Sequence, residues 1–361
     1  MSQRINVTKA FLPPIAEFNE RVAQIWENDQ LTNQGPLVLE LERELKKYLG
    51  VENFHFVSNG TTALQLALRA LDITDGEIIT TPFSYVATTS SILWEHCEPV
   101  YVDIDPDTLC IDSAQIEATI TPRTKAIMPV HVFGNPCDVE KIDAIAKKHN
   151  LKVIYDAAHA FGATHKGKSL YEYGDIAIGS FHATKLFHTI EGGCMIAKDK
   201  AVSEKIELLK RFGHNGDEHI MLGINAKASE FQAAMGLCNL KYIDAIIAER
   251  EQITAWYDEM LPRTLRTPNK QPQTTSNYAY YPVICTNNAQ LMKVMNALQA
   301  QDIFPRRYFY PSLNLLPYLQ SRQRCPHSEK VAESIMCLPL YSGLDKATVV
   351  RICKIIQKEI A

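Results

Sequence analysis

The sequence predicts an α/β fold: a large domain on a mostly parallel sheet, then a smaller α+β domain. Three observations lead there. Short apolar runs alternate with helix-period segments from Phe54 to about residue 200. Two longer helical stretches follow, and Pro262, Pro268 and Pro272, set among Thr and Asn, then break the pattern. At 361 residues the chain can bury a full core and suggests more than one domain. We expect residues 1–250 to form the large domain with an N-terminal arm and 251–361 the small one.

Each element has its own signal. The opening is irregular, with one helix at 15–27. After the turn-rich Leu31-Thr32-Asn33-Gln34-Gly35-Pro36, Leu37, Leu41, Leu45 and Leu49 recur at helical spacing among Glu and Lys, so an amphipathic helix follows. Candidate strands fall at 54–58, 78–81, 99–103, 126–132, 153–156, 176–181 and 193–197. Helical stretches separate them at 62–71, 87–94, 113–119 and 139–149. Leu64, Leu68 and Leu71 mark the first; Asp138 caps the last ahead of Val139, Ile142, Ile145 and Ala146. Helices at 201–210 and 228–247, the second extending towards Tyr257, close the large domain. A strand at 279–285 and helices at 290–300 and 346–359 build the small one.

Composition narrows the function. Apolar content of 46% and charge content of 22% are those of a globular protein. A formal charge of −4 argues against a general nucleic-acid binder, so any phosphate recognition is local. The nine cysteines are odd in number and scattered, with no C-x-x-C, which favours reduced thiols over disulfides or a zinc site. Residues 1–14 lack the apolar core of a signal peptide, and no run has the length of a transmembrane helix. The expectation is a soluble, cytoplasmic protein with no membrane partner.

Lys185 is the residue with the most chemistry around it. It ends Gly179-Ser180-Phe181-His182-Ala183-Thr184-Lys185, just past a short apolar strand and ahead of Glu191-Gly192-Gly193. Most lysines are solvated surface charges, but burial and neighbours can lower the pKa enough to make one a Schiff-base nucleophile. A formal P-loop match at 162–169 is a decoy: Tyr171-Glu172-Tyr173-Gly174 follows it as a turn where a helix is required.

Ser58-Asn59-Gly60-Thr61-Thr62-Ala63-Leu64 joins a strand to a helix. Gly60 permits close backbone approach, and Thr61 and Thr62 can cap the helix while its amides bind an anion; an ordinary capped start reads the same way. Ser180 adds another hydroxyl. Asp156 ends a strand and His159 follows it, at the strand end where open α/β sheets bind ligands. That carboxylate can pair with a protonated ring nitrogen or merely cap a helix. Asp156, His159, His131 and His182 are the rival metal set, which lacks H-x-x-x-H and H-x-H spacing. Tyr85 is either core or a face on which a flat ring stacks. A phosphate seat, an aromatic face, a ring-nitrogen carboxylate and a lysine are the parts that hold pyridoxal phosphate.

Several motifs in order carry a resemblance. They are Asn33-Gln34-Gly35-Pro36, Asn59-Gly60-Thr61-Thr62-Ala63-Leu64, Pro129-Val130-His131-Val132-Phe133-Gly134 and Asp156-Ala157-Ala158-His159-Ala160. The lysine stretch with Glu191-Gly192-Gly193 follows, then Asn225 with Ser229-Glu230-Phe231-Gln232-Ala233-Ala234. Over residues 32–344 the chain resembles the sugar-nucleotide aminotransferase family, within the fold-type I, aspartate-aminotransferase-like pyridoxal-phosphate enzymes.

The resemblance implies that Lys185 links to pyridoxal phosphate and shuttles protons. It implies that Asp156 holds the ring nitrogen, His159 lies against the ring, Gly60, Thr61 and Ser180 bind the phosphate, and Tyr85 stacks. Asn225 would reach the cofactor of a second subunit, making a homodimer with shared sites. Arg306-Arg307-Tyr308-Phe309-Tyr310-Pro311 resembles the segment closing the site over a nucleotide-linked sugar, although a solvated basic turn reads alike. Arg306, Tyr308 and Tyr310, with Asn33, Gly35 and Pro36, are the implied substrate set.

Ser-Phe-His-x-x-Lys with Glu-Gly-Gly looks like the branch that aminates the 4-position. The 3-aminating branch usually shows Asn-Leu-Gly after the lysine and then Gly-Asp-Gly-Gly, where this chain has Leu186-Phe187-His188-Thr189-Ile190. The implied reaction moves an amino group from L-glutamate to C4 of a nucleotide-linked 4-keto-6-deoxyhexose. A 3-keto sugar transaminase and a non-catalytic, cofactor-binding homologue are the alternatives.

Overall fold

The computed structural model describes residues 4–320 and 323–360. Its central sheet has seven strands: β1 (Phe54–Val57), β2 (Glu77–Thr80), β3 (Glu98–Tyr101), β4 (Thr124–Met128), β5 (Lys152–Asp156), β6 (Ile176–Ser180) and β7 (Gly193–Ala197). The order is β1-β7-β6-β5-β4-β2-β3. Only β7 is antiparallel to its neighbours, and because it reverses between β1 and β6, those two still point the same way. The carboxyl ends of β1, β5 and β6 therefore share one edge.

These strands read as continuous apolar runs because both faces are covered. Alternate residues go to opposite sides: Ile79, Val153, Tyr155 and Ala177 join one core, Ile78, Ile154 and Ile178 the other. Helix Gly60–Ala70 buries Leu64 and Leu68 in the second core. Helix Pro36–Leu49 lays Leu37, Leu41 and Leu45 into the first, with Pro36 in its first turn, where a missing N–H costs nothing. The Glu230 carboxylate, itself buried, accepts from the Leu37 and Val38 amides at 2.8 and 3.0 Å. Those donors lack intrahelical partners, and the helix dipole favours a negative charge there. A side chain at Gly35 would meet the Glu230 carboxyl carbon at 2.6 Å, so that position belongs to packing.

Three expectations need correcting. The helix expected over 228–247 is two helices, Glu230–Leu240 and Ile243–Met260, broken at Tyr242. No Gly or Pro announces the break; the Asn239 side chain turns to the His188 carbonyl at 2.9 Å, and the Tyr242 hydroxyl is tied to Glu17. The first βα turn is capped by Asn59, whose side chain accepts from the Thr62 amide at 2.8 Å and the Thr62 hydroxyl at 3.0 Å, and not by the threonines. Helix Pro326–Ser334 and strand Ile335–Leu338 escaped the sequence reading altogether.

The second strand of that region, Tyr281–Ile284, pairs antiparallel with Ile335–Leu338. Helices Asn288–Gln299 and Lys346–Ile360 pack with them into a further core that includes Val283, Leu291, Leu298, Val349 and Ile352. Helix Ile243–Met260 bridges the cores, giving Ile243 and Ile246 to the first and Ile253 and Tyr257 to this one. The P-loop decoy is a hairpin, Thr164–His165 against Lys168–Ser169, with Lys166 and Gly167 both at positive φ. All nine cysteines are free and buried. Among the described residues no helix is long and apolar enough to cross a membrane.

Candidate active site

A cleft of about 700 Å³ opens where β1, β5 and β6 end, facing the chain around Tyr280 and Arg306–Phe309. Gly60, Thr61, Tyr85, Asp156, His159, Ser180 and Lys185 all line it, together with Arg306 and Tyr308. Sequence motifs far apart in the chain thus converge on one space.

The helix that starts at Gly60 leaves its Gly60 and Thr61 amides without intrahelical acceptors, since Asn59 takes the Thr62 amide. Ser180 sits against this turn: a Cβ built on Gly60 would lie 3.0 Å from that of Ser180. Gly193 is paired with both Val57 and Ser180, and a Cβ there would strike the Asn59 carbonyl carbon at 2.6 Å. Two glycines therefore let three chain segments close together at the cleft, beside amides of the kind that can receive an anion.

Asp156 is buried at the end of β5. Its carboxylate accepts from the Thr88 hydroxyl at 2.7 Å and the Ala158 amide at 3.1 Å, both neutral donors. Burial pushes its pKa up, opposed by these hydrogen bonds and by the nearby Lys185. Lys185 moves the other way: withdrawal from water lowers it to about 8, against the pull of Asp156 and Tyr85. About a tenth is then the neutral, nucleophilic amine at pH 7, a far larger share than for a solvated lysine.

His159 is buried between aromatic faces, stacked on Phe309 at 5.5 Å and 6° and meeting Tyr280 edge-on at 4.9 Å and 66°. Its Nδ1 accepts from the Phe133 amide at 3.2 Å, and burial holds its pKa well below the usual value, so it presents a neutral flat ring. The Asn277 amide anchors the backbone on either side, donating to the His159 and Phe161 carbonyls at 2.8 and 2.9 Å. His131 lies elsewhere, stacked on Tyr155 at 4.5 Å with Nδ1 accepting from the Cys137 amide. Among the described residues no three His, Cys, Asp or Glu are placed to hold a metal.

Other expected residues stand apart from this cleft. Asn33 is exposed, and Gly35 and Pro36 start the helix over Glu230. Tyr310 is exposed under the Arg307 guanidinium at 3.4 Å. Asn225 is exposed too; its Oδ1 accepts from Lys227 Nζ at 2.8 Å, leaving its NH2 group to donate. Tyr280 was missed, and Phe133 and Phe309 stood inside quoted motifs without a role of their own. No periodicity or spacing marks them, because their place depends on how distant segments fold together.

Comparisons with known proteins agree with this geometry. The sequence profile of the DegT/DnrJ/EryC1/StrS aminotransferase family matches residues 14–357. A dTDP-4-amino-4,6-dideoxy-D-glucose transaminase of Shigella dysenteriae is 42% identical over 95% of this chain and 96% of its own. The protein of the same name from Escherichia coli is 40% identical over 98% of each. The crystal structure of DesI in the presence of its TDP-sugar product superposes with a TM-score of 0.93 at 31% identity, covering 99% of this chain and 93% of that one. The fold and the lysine-floored cleft are those of a sugar aminotransferase. The chain belongs to the DegT/DnrJ/EryC1/StrS aminotransferase family, whose members are pyridoxal-phosphate enzymes.

Proposed function

We propose that this protein transfers the amino group of L-glutamate to C4 of dTDP-4-keto-6-deoxy-D-glucose, giving dTDP-4-amino-4,6-dideoxy-D-glucose for O-antigen or related glycan assembly. The observation that carries the reading is the meeting of Lys185, Asp156 and the Gly60–Ser180 seat in one cleft. The two transaminase relatives support the choice of sugar.

The donor set fits pyridoxal phosphate. Asp156 is a buried carboxylate that, among the described residues, is hydrogen-bonded by neutral groups alone, suited to a ring cation, and the Gly60 and Thr61 amides with Ser180 suit a phosphate. His159 and Tyr85 flank the ring's space, and Lys185 carries the group. Bound there, pyridoxal phosphate supplies an electron sink at the carbon that loses its proton. Asp156 keeps the sink effective by stabilising positive charge on the ring. Lys185, once free, takes the proton from the donor carbon at Nζ and returns one when the amino group passes to the sugar. The aromatic wall of Tyr280, Tyr308 and Phe309 limits water, and Arg306 offers its forked guanidinium to the sugar diphosphate.

Three further features belong to the proposal. Asn225, outside its own cleft with a free NH2 group, serves the cofactor of a second copy, so the working unit is a homodimer with shared sites. Residues 1–250 and 251–361 act as large and small domains joined by helix Ile243–Met260. The buried free thiols suit the reducing cytoplasm.

The test has two stages. Purified protein incubated with pyridoxal phosphate is expected to gain a visible absorption band, and borohydride followed by peptide mapping should fix the cofactor on Lys185. NMR of the product made from dTDP-4-keto-6-deoxy-D-glucose and glutamate should show a 4-amino sugar. Failure to take up the cofactor overturns the reading; a 3-amino product overturns the regiochemistry.

A further inference from the structure

Tyr280 belongs to none of the sequence motifs, yet it reaches the reacting nitrogen. It precedes strand Tyr281–Ile284, lines the cleft, and brings its hydroxyl oxygen to 3.5 Å from Lys185 Nζ. Among the described residues this is the one side-chain hydrogen bond that either group makes. The ring is held on three sides: edge-on to His159, perpendicular to Tyr308 at 5.8 Å, and tilted on Phe133 at 5.5 Å. Packing fixes the ring and leaves the hydroxyl to aim at the lysine.

We propose that Tyr280 is a positioning residue that parks the Lys185 amine at the cleft floor whenever that amine is free. The inference rests on the transaminase reading above and adds to it how the lysine is held between proton transfers. Burial raises the phenol well above its ordinary range, so it keeps its proton at working pH. Against a neutral amine the O–H donates to the lone pair. Against an ammonium the N–H donates and the phenol oxygen accepts. The hydrogen bond survives both states by exchanging donor for acceptor, which a carboxylate partner cannot do. A group that takes a proton and gives it back needs a partner that can hold it in either charge state.

The charge-assisted form is the stronger of the two, so the hydroxyl favours the ammonium, and its loss lowers the lysine pKa below its starting value of about 8. The experiment labels cofactor-free protein with trinitrobenzenesulfonate across pH and follows the Lys185 peptide. The parent protein should show a midpoint near 8. Tyr280→Phe, which keeps the ring and its packing, should move it down by about half a unit or more. Tyr308→Phe removes a neighbouring hydroxyl that makes no bond to Lys185 and should leave the midpoint in place. In the loaded enzyme Tyr280→Phe should lower kcat more than it changes KM, with a larger isotope effect from α-deuterated glutamate. An unmoved midpoint in Tyr280→Phe, or an equal shift in Tyr308→Phe, overturns the proposal. Labelling needs no cofactor, so a chain that fails to bind pyridoxal phosphate would sink the transaminase reading while the Tyr280–Lys185 contact is still judged on its own.

Discussion

The two walls of the cleft are built differently. The sheet wall consists of strand ends and the turns after them, and its polar groups are committed: Asn59 caps the helix, Thr88 and Ala158 hold Asp156, and glycines set the spacing. The opposite wall is aromatic: Phe309 stacks on His159, Tyr280 meets it edge-on, Tyr308 stands perpendicular to Tyr280, and Arg306 lies over the Tyr308 ring at 5.1 Å. Hydrogen bonds fix the first wall in position and chemistry. Ring packing fixes the second mainly in shape, which a few substitutions can alter. On the proposed function we infer a division of labour: the sheet wall would carry the cofactor chemistry, and the aromatic wall, apart from Tyr280 at Lys185, would select the sugar.

Substitutions on each wall test that division. Lys185→Ala should have the largest effect, lowering transamination at least about ten-thousandfold because it removes both the covalent link and the proton carrier. Near-normal turnover would remove Lys185 from its role. Asp156→Asn should lower kcat on the order of a hundredfold, as for loss of one preorganised charge partner, while the far-ultraviolet circular dichroism stays unchanged. Equal activity would reduce the carboxylate to a turn cap.

Phe309→Leu on the aromatic wall should raise KM for the nucleotide sugar by about two- to tenfold, the scale of one lost aromatic pair, while the cofactor band persists. A lost band, or an unchanged KM in the loaded variant, would contradict the division. The smallest effect belongs to Asn59→Ala. Loss of its cap should cost about 1 kcal/mol of stability by denaturant titration and weaken phosphate retention modestly.

The same contrast explains what the sequence disclosed. All seven strands of the sheet were readable because each is a short, largely apolar run bounded by turns, most of them covered on both faces, with the edge strand Glu98–Tyr101 partly exposed. Asp156, His159 and Ser180 stood out because strand ends are legible and ligands gather there, Lys185 stood out by its neighbours, and the resemblance supplied their roles. Tyr280 did not stand out, since a tyrosine before a strand looks the same whether it faces core or cleft. Ile335–Leu338 was hidden for a related reason: its pairing with Tyr281–Ile284 spans some fifty residues, and four apolar residues after a helix announce nothing. Asn33, Pro36 and Tyr310 carry motif likeness without reaching this cleft. Within one chain Gly35 answers to Glu230.

Gly192 and Gly193 have a consequence for how this chain can change. A side chain at Gly192 would collide with the Thr189 hydroxyl at 2.0 Å, and one at Gly193 with the backbone of Asn59 and Gly60 at 2.6 to 2.7 Å. Glu191, just before them, is exposed at the cleft and carries no such restriction. Mutation can therefore explore Glu191 at the cost of its 3.5 Å contact with His182, while the next two positions admit a single residue type each. A descendant of this protein that acquired a different sugar would inherit those glycines unaltered and carry the record of its new preference elsewhere.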